Sequence, residues 1–210
     1  MNDALLKEWE ESHKLKGLDP TKISIDGILN REKYNSEAGI MFVLKDTNSK
    51  NRVNLIDLLR NGAKYQMWHA VARWAAGILN DFSEYDEINN YEVMKDALHQ
   101  VSVVNLKKTT GVSSVHSSSV TAYAHQDKNL LLKQFRMINP KLIIACGTFE
   151  QLIWLLDLEI DPLSIWQPAK SRIIDAWVIP WRHPNRATNF STYNQLKEIF
   201  NKTNIKEGTL

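Results

Sequence analysis

The fold is decided by one stretch of the sequence, Gly39-Ile40-Met41-Phe42-Val43-Leu44-Lys45-Asp46-Thr47-Asn48. Five apolar residues stand there in an unbroken row, between a glycine and four polar residues. An apolar row of this length, partly β-branched and aromatic, predicts a strand that is buried on both faces. In parallel α/β sheets, ligands bind where loops leave the carboxyl ends of the strands. Asp46 is therefore expected at the lip of a cleft, although Asp46, Thr47 or Asn48 could instead cap the next helix.

Apolar segments and helical patterns alternate along the rest of the chain. Further strands are predicted at 101–106, 141–147 and 173–180, and helices at 3–16, 55–59, 64–80, 91–99, 126–138, 149–157 and 192–202. Such alternation is typical of a parallel sheet with helices on both faces. The sequence thus predicts a three-layer α/β/α sandwich with a central four-stranded parallel sheet. We expect a single domain over 1–210, with its core at about 38–202.

Composition excludes several classes of protein. The formal net charge is only +2, which is compatible with a nucleic-acid partner without requiring one. Cys146 is the single cysteine, so an intrachain disulfide and a four-thiolate zinc or iron–sulfur site are excluded. The first residues lack the basic and apolar regions of a signal peptide, and no apolar run has membrane-spanning length. We expect a cytoplasmic protein that needs no cofactor or metal.

Polar residues follow each predicted strand at the same kind of position. Asp46 follows the first strand, Asn105 ends the second, and His183 follows the fourth. If the strands are parallel neighbours, these three side chains converge on one cleft. Each also has a structural interpretation, since Asn105 and the His183-Pro184-Asn185 segment could simply form turns.

In this order and spacing, the motifs resemble those of the uracil-DNA glycosylase superfamily. The similar segments are Phe42-Val43-Leu44-Lys45-Asp46-Thr47-Asn48, Val103-Val104-Asn105-Leu106-Lys107-Lys108, Pro140-Lys141-Leu142-Ile143-Ile144-Ala145-Cys146-Gly147 and His183-Pro184-Asn185. The resemblance implies that Asp46 and His183 are catalytic and that Asn105 recognises the edge of a base. It further implies excision of a deaminated DNA base, uracil first, with DNA as the partner.

The chain also departs from the family pattern. Leu44-Lys45 stands where the family usually has a Gly before the catalytic position, and Asn48 replaces a bulky Tyr. Asn185 replaces the Ser after His-Pro, and Arg186-Ala187 stands where the best-known branch has a Leu wedge. Two alternatives therefore accompany the glycosylase hypothesis. One is a non-catalytic module that binds a nucleobase or DNA, and the other is a nucleotide-directed enzyme with a small-molecule substrate.

Basic residues near the predicted strand ends could hold DNA phosphates. These are Lys107, Lys108, Arg182 and Arg186, together with the Ser/Thr-rich loop 109–119. Each could equally be a solvated surface charge. A flipped base also requires an aromatic surface. Tyr65, Trp68 and Tyr123 are the candidates for that surface, and each could instead belong to the core.

Overall fold

The computed structural model of the chain describes residues 1–111, 116–186 and 189–202. Six strands in this part form one sheet. They are β1 (Gly27–Ile28), β2 (Ile40–Leu44), β3 (Ser102–Asn105), β4 (Leu142–Cys146), β5 (Ala169–Lys170) and β6 (Trp177–Trp181). Their order across the sheet is β1-β3-β2-β4-β6-β5. The predicted α/β class is confirmed.

Nine α-helices lie around this sheet in the described ranges. They are α1 (Asp3–Leu15), α2 (Leu55–Leu59), α3 (Gln66–Leu79), α4 (Tyr85–Ile88), α5 (Tyr91–His99), α6 (Ser117–Gln126), α7 (Lys128–Ile138), α8 (Phe149–Leu155) and α9 (Asn189–Lys202). Local sequence explains their ends. The Asn90 side chain, for example, accepts hydrogen bonds from two backbone N–H groups at the start of α5. None of the helices described here has the length and apolar character needed to cross a membrane.

The four predicted strands are the centre of the sheet, but they are not the whole of it. β2 pairs in parallel with β3 and β4, and β4 pairs in parallel with β6. Two antiparallel edge strands, β1 and β5, extend this centre to six strands. Each edge strand is two residues long, which is too short to produce a hydrophobic period in the sequence.

The unbroken apolar row of β2 is explained by two cores, one on each face of the sheet. Phe42 and Leu44 belong to the core that contains the apolar residues of α3 and α5. Met41 and Val43 belong to the core on the other side, with residues of α1 and α7. Because successive side chains point to opposite faces, a strand covered on both sides must be apolar at every position.

Two predicted segments differ from the observed elements. The fourth strand begins at Trp177 rather than at residue 173, because Ser171 Oγ accepts hydrogen bonds from the N–H groups of Ile173 and Ile174, at 3.1 and 3.2 Å. These bonds hold the segment in a turn. The predicted loop at 109–119 also ends early, because α6 begins at Ser117. Residues 112–115 of that loop lie outside the described residues.

Candidate functional site

The cleft at the carboxyl edge of the sheet contains the three predicted site residues. Leu44 lies opposite Asn105 in the parallel register, so β2 and β3 end side by side. Asp46, Asn105 and His183 line one cleft with a volume of about 630 Å³, which lies within the range of small-ligand pockets. The apolar and aromatic part of the lining includes Val53, Leu55, Leu58, Tyr65, Met67 and Trp68. The three polar residues are thus brought together, although they are far apart in sequence.

Asp46 is paired with Lys107 inside this edge of the sheet. Backbone bonding continues beyond the strands, with the Lys107 N–H donating to Lys45 O at 2.9 Å. Lys107 Nζ then lies 3.2 Å from Asp46 Oδ2 and 3.0 Å from Thr109 O, with the side chains of the ion pair about one-tenth exposed. The ammonium also lies 5.4 Å from the ring centroid of Tyr123. Lys107, predicted to hold a DNA phosphate, is instead directed at the predicted catalytic carboxylate.

Replacing Lys107 with Met is expected to lower the free energy of unfolding by about 1.5–3 kcal/mol, the usual range for a hydrogen bond to a charged group. The substitution keeps the aliphatic stem and removes the donor to Asp46 and Thr109. Urea denaturation would measure the loss. Lys170→Met is the matched control, because Lys170 is half-exposed and pairs with the exposed Asp175. Equal losses in the two variants would show that the Asp46–Lys107 pair contributes no more than a surface ion pair.

Asn105 is buried, and both of its nitrogen atoms are engaged within the protein. Its backbone N–H donates to Asp26 Oδ2 at 2.9 Å. Its side-chain Nδ2 lies 3.4 Å from the same oxygen and 3.1 Å from Thr47 Oγ1. Asn105 Oδ1 is buried and has no hydrogen-bond partner in the described part of the chain. The donors of Asn105 are thus used within the protein, and its side-chain oxygen remains as the acceptor for the base edge that it is expected to recognise.

The prediction that Lys108 contacts DNA phosphates is wrong. Its side chain is completely buried, and Nζ lies 2.6 and 2.8 Å from the two carboxylate oxygens of Asp26. Burial lowers the pKa of Lys108, and the neighbouring Asp26 carboxylate opposes that shift. A cation enclosed in this way cannot reach a phosphate. Sequence reasoning did not identify Asp26, because nothing in its local pattern indicates its distant partners.

His183 stands on the far side of the cleft from β3, two residues after β6. Its ring Nδ1 accepts a hydrogen bond from the backbone N–H of Asn185 at 3.3 Å. An accepting Nδ1 has no proton, so in the neutral ring the proton is on Nε2. This tautomer is suited to donating a hydrogen bond through Nε2.

The other basic residues near the cleft differ in their surroundings. Arg182 is exposed, donates to Gln195 Oε1 at 2.6 Å and lies 5.4 Å from the ring of Trp181. The side chain of Arg186 lies outside the described residues. Lys45 was not predicted as a site residue, yet its Cε packs beside Gly147, on the side where His183 also lies. Its position directly before Asp46 was the one feature of the sequence that could have indicated a role of Lys45 at the site.

Two of the three candidate aromatic residues line the cleft. Tyr65, at the start of α3, is 60% exposed, whereas Trp68 is buried. Tyr123 lies beside Lys107 and is not part of the lining. Tyr65 therefore combines an accessible ring with a position in the cleft wall, as stacking on a base would require.

The donor set of the site does not resemble a metal centre. In residues 1–111, 116–186 and 189–202, there is no group of three or more His, Cys, Asp or Glu residues placed to hold a metal ion. Comparison with known proteins adds no assignment, because no protein-family model and no curated protein matches the chain.

Proposed function

We propose that the protein is a DNA glycosylase of the uracil-DNA glycosylase type, which hydrolyses the N-glycosidic bond of a deaminated base, uracil first. The observation that carries this proposal is the convergence of Asp46, Asn105 and His183 on one cleft at the carboxyl edge of the sheet. The parallel centre β3-β2-β4-β6 supports it, because the carboxyl ends of β2, β3 and β6 bring the three residues to one edge of the sheet. We place the reaction in the cytoplasm.

The chemistry of the cleft is suited to breaking this bond. Departure of the base leaves positive charge on the sugar, which the Asp46 carboxylate would stabilise while it orients the attacking water. The departing base becomes negatively charged, and the His183 Nε2–H would donate to its oxygen. Asn105 Oδ1 would accept a hydrogen bond from the base. Tyr65 would stack on the ring of a base that has been flipped out of the helix.

Two of the basic residues predicted to hold DNA phosphates do not point to solvent. Lys107 and Lys108 are directed inward to Asp46 and Asp26. Arg182 is exposed, and Lys45 is placed beside His183. Among the described residues, Arg182 and Lys45 are therefore the candidates for phosphate contacts.

A direct assay tests the proposal. The protein is incubated in excess with single- and double-stranded oligonucleotides that contain uracil, hypoxanthine or xanthine, and abasic sites are then cleaved. We expect strand cleavage at uracil, and cleavage at either other base would support the same reaction class. Absence of product from all the substrates would overturn the proposed activity.

A second candidate is a module that binds a nucleobase or nucleotide without cleaving DNA. It is favoured by one observation, the pairing of Asp46 with Lys107 at 3.2 Å, which leaves the carboxylate partly neutralised. This candidate predicts binding of free nucleotide at low salt with no DNA cleavage. Retention of a nucleotide on purification without DNA affinity would favour it, and a measured glycosylase rate would exclude it.

A further inference from the structure

A buried polar network is built around Asp26, which lies directly before β1 and contacts the cleft residue Asn105. Its carboxylate is completely buried and receives hydrogen bonds from three side chains. Lys108 Nζ lies 2.6 and 2.8 Å from the two oxygens, and Gln134 Nε2 lies 2.8 Å from Oδ1. The third is Asn105 Nδ2, at 3.4 Å from Oδ2. Nothing in the proposed reaction uses Asp26 directly.

This network determines which end of the Asn105 amide faces Asp26. A carboxylate can only accept hydrogen bonds, and the Asp26 carboxylate already accepts from the Lys108 ammonium through both oxygens. The amide must therefore present Nδ2 to Asp26, where it also donates to Thr47 Oγ1 at 3.1 Å. The opposite orientation would place the amide oxygen against a carboxylate oxygen, which is repulsive. The usual ambiguity of amide orientation is thus removed by chemistry.

As a consequence, the amide oxygen of Asn105 lacks a hydrogen-bond donor. Asn105 Oδ1 has no hydrogen-bond partner within the described residues, and Asn105 lines the cleft. A buried acceptor without a partner is costly, so a ligand that brings an N–H group to it is favoured. The Asn105 amide therefore offers a ligand its acceptor, while its Nδ2 donates to Asp26 and Thr47.

We propose that Asp26, held by Lys108, is a positioning residue that fixes Asn105 as an acceptor and so limits the cleft to bases with an N–H group next to a carbonyl. Uracil, hypoxanthine and xanthine have this lactam edge. Cytosine and adenine, once attached to a sugar, instead present a ring nitrogen lone pair beside an amine. The inference rests on the proposed function, since it specifies one edge that a base must present to the same site.

The test compares two ligands that differ only at this edge. 1-Methyluracil and 1-methylcytosine are used, because the methyl group blocks the N1–H that would otherwise give free cytosine a lactam edge of its own. Binding of each is titrated by NMR into the wild type and into Asp26→Asn/Lys108→Met. The double variant keeps the size of residue 26, lets the amide of Asn105 rotate, and leaves no unpaired buried charge.

The matched control is Asp127→Asn/Lys16→Met, which removes another ion pair with a fully buried carboxylate. Asp127 and Lys16 are not among the residues that line the cleft. We expect the wild type and this control to prefer 1-methyluracil by at least about tenfold, and the Asp26 variant to retain a preference of at most about twofold. If Asp26 has a purely structural role, its replacement should weaken the binding of both ligands equally and leave the ratio of their affinities unchanged. That result would overturn the inference.

A second measurement separates failure of this inference from failure of the proposed function. Hydrogen exchange of the Asn105 side-chain NH₂ is followed in the free protein, where we expect slow exchange in the wild type and faster exchange in the Asp26 variant. If the wild type binds neither base, the proposed function falls, and the exchange result alone decides whether Asp26 fixes the amide. Equal exchange rates of the Asn105 side-chain NH₂ in the two proteins would overturn the positioning role of Asp26, regardless of the binding results.

Discussion

Replacing Asp46 with Asn is expected to reduce the rate of uracil release by about 100- to 10,000-fold, the usual contribution of a catalytic acid or base. The variant keeps the size of the side chain and an oxygen that can accept a hydrogen bond from Lys107. It removes the negative charge that would stabilise an oxocarbenium-like transition state. Single-turnover cleavage of a uracil-containing oligonucleotide measures the rate of the chemical step. Binding of 1-methyluracil should change little, because Asp46 is proposed to act on the sugar.

Asp175→Asn is the control for this prediction. Asp175 is exposed, pairs with Lys141 and Lys170, and precedes β6 at the opposite edge of the sheet. We expect a wild-type rate for this variant. An Asp46→Asn protein that also retains most of the wild-type rate would show that Asp46 is not catalytic, and the glycosylase mechanism would lose its nucleophile-directing group.

Replacing Asp26 with Ala is expected to lower the free energy of unfolding by about 3–5 kcal/mol, the usual cost of leaving a buried charge without its partner. The Lys108 ammonium would stay enclosed with no counter-ion, and Gln134 and Asn105 would each lose an acceptor. Guanidinium chloride denaturation, followed by circular dichroism, measures the change. A loss of this size is a large fraction of the stability of an ordinary domain.

The comparison with a double variant identifies the cause of that loss. Asp26→Leu/Lys108→Met removes both charges and fills the space with apolar groups, so it should be more stable than Asp26→Ala. Asp175→Ala, at an exposed ion pair, should cost no more than about 1 kcal/mol. A double variant that is as unstable as Asp26→Ala would show that the polar network, rather than the unpaired lysine, accounts for the destabilisation.

Lys107 and Lys108 show why local sequence could predict the position of the cleft and not its electrostatics. The two residues are adjacent and look alike, so the sequence places both at the strand end as surface cations. In the structure one pairs with Asp46, 61 residues away, and the other with Asp26, 82 residues away. Neighbouring residues in extended backbone point in opposite directions, and the partner that each one meets depends on which segments lie beside it.

The sequence by itself determined the four central strands and the polar residues that follow them. Ile40–Leu44 is apolar throughout because both of its faces are covered, and this property is visible without coordinates. The order of the strands, the short edge strands and the buried Asp26 network were decided only by tertiary structure. These features depend on contacts between distant segments, and no local period records such contacts. The convergence of Asp46, Asn105 and His183 depends on sequence and tertiary structure together. The sequence pattern placed each residue at the end of a strand, and the parallel pairing of the strands brought those ends to one edge of the sheet.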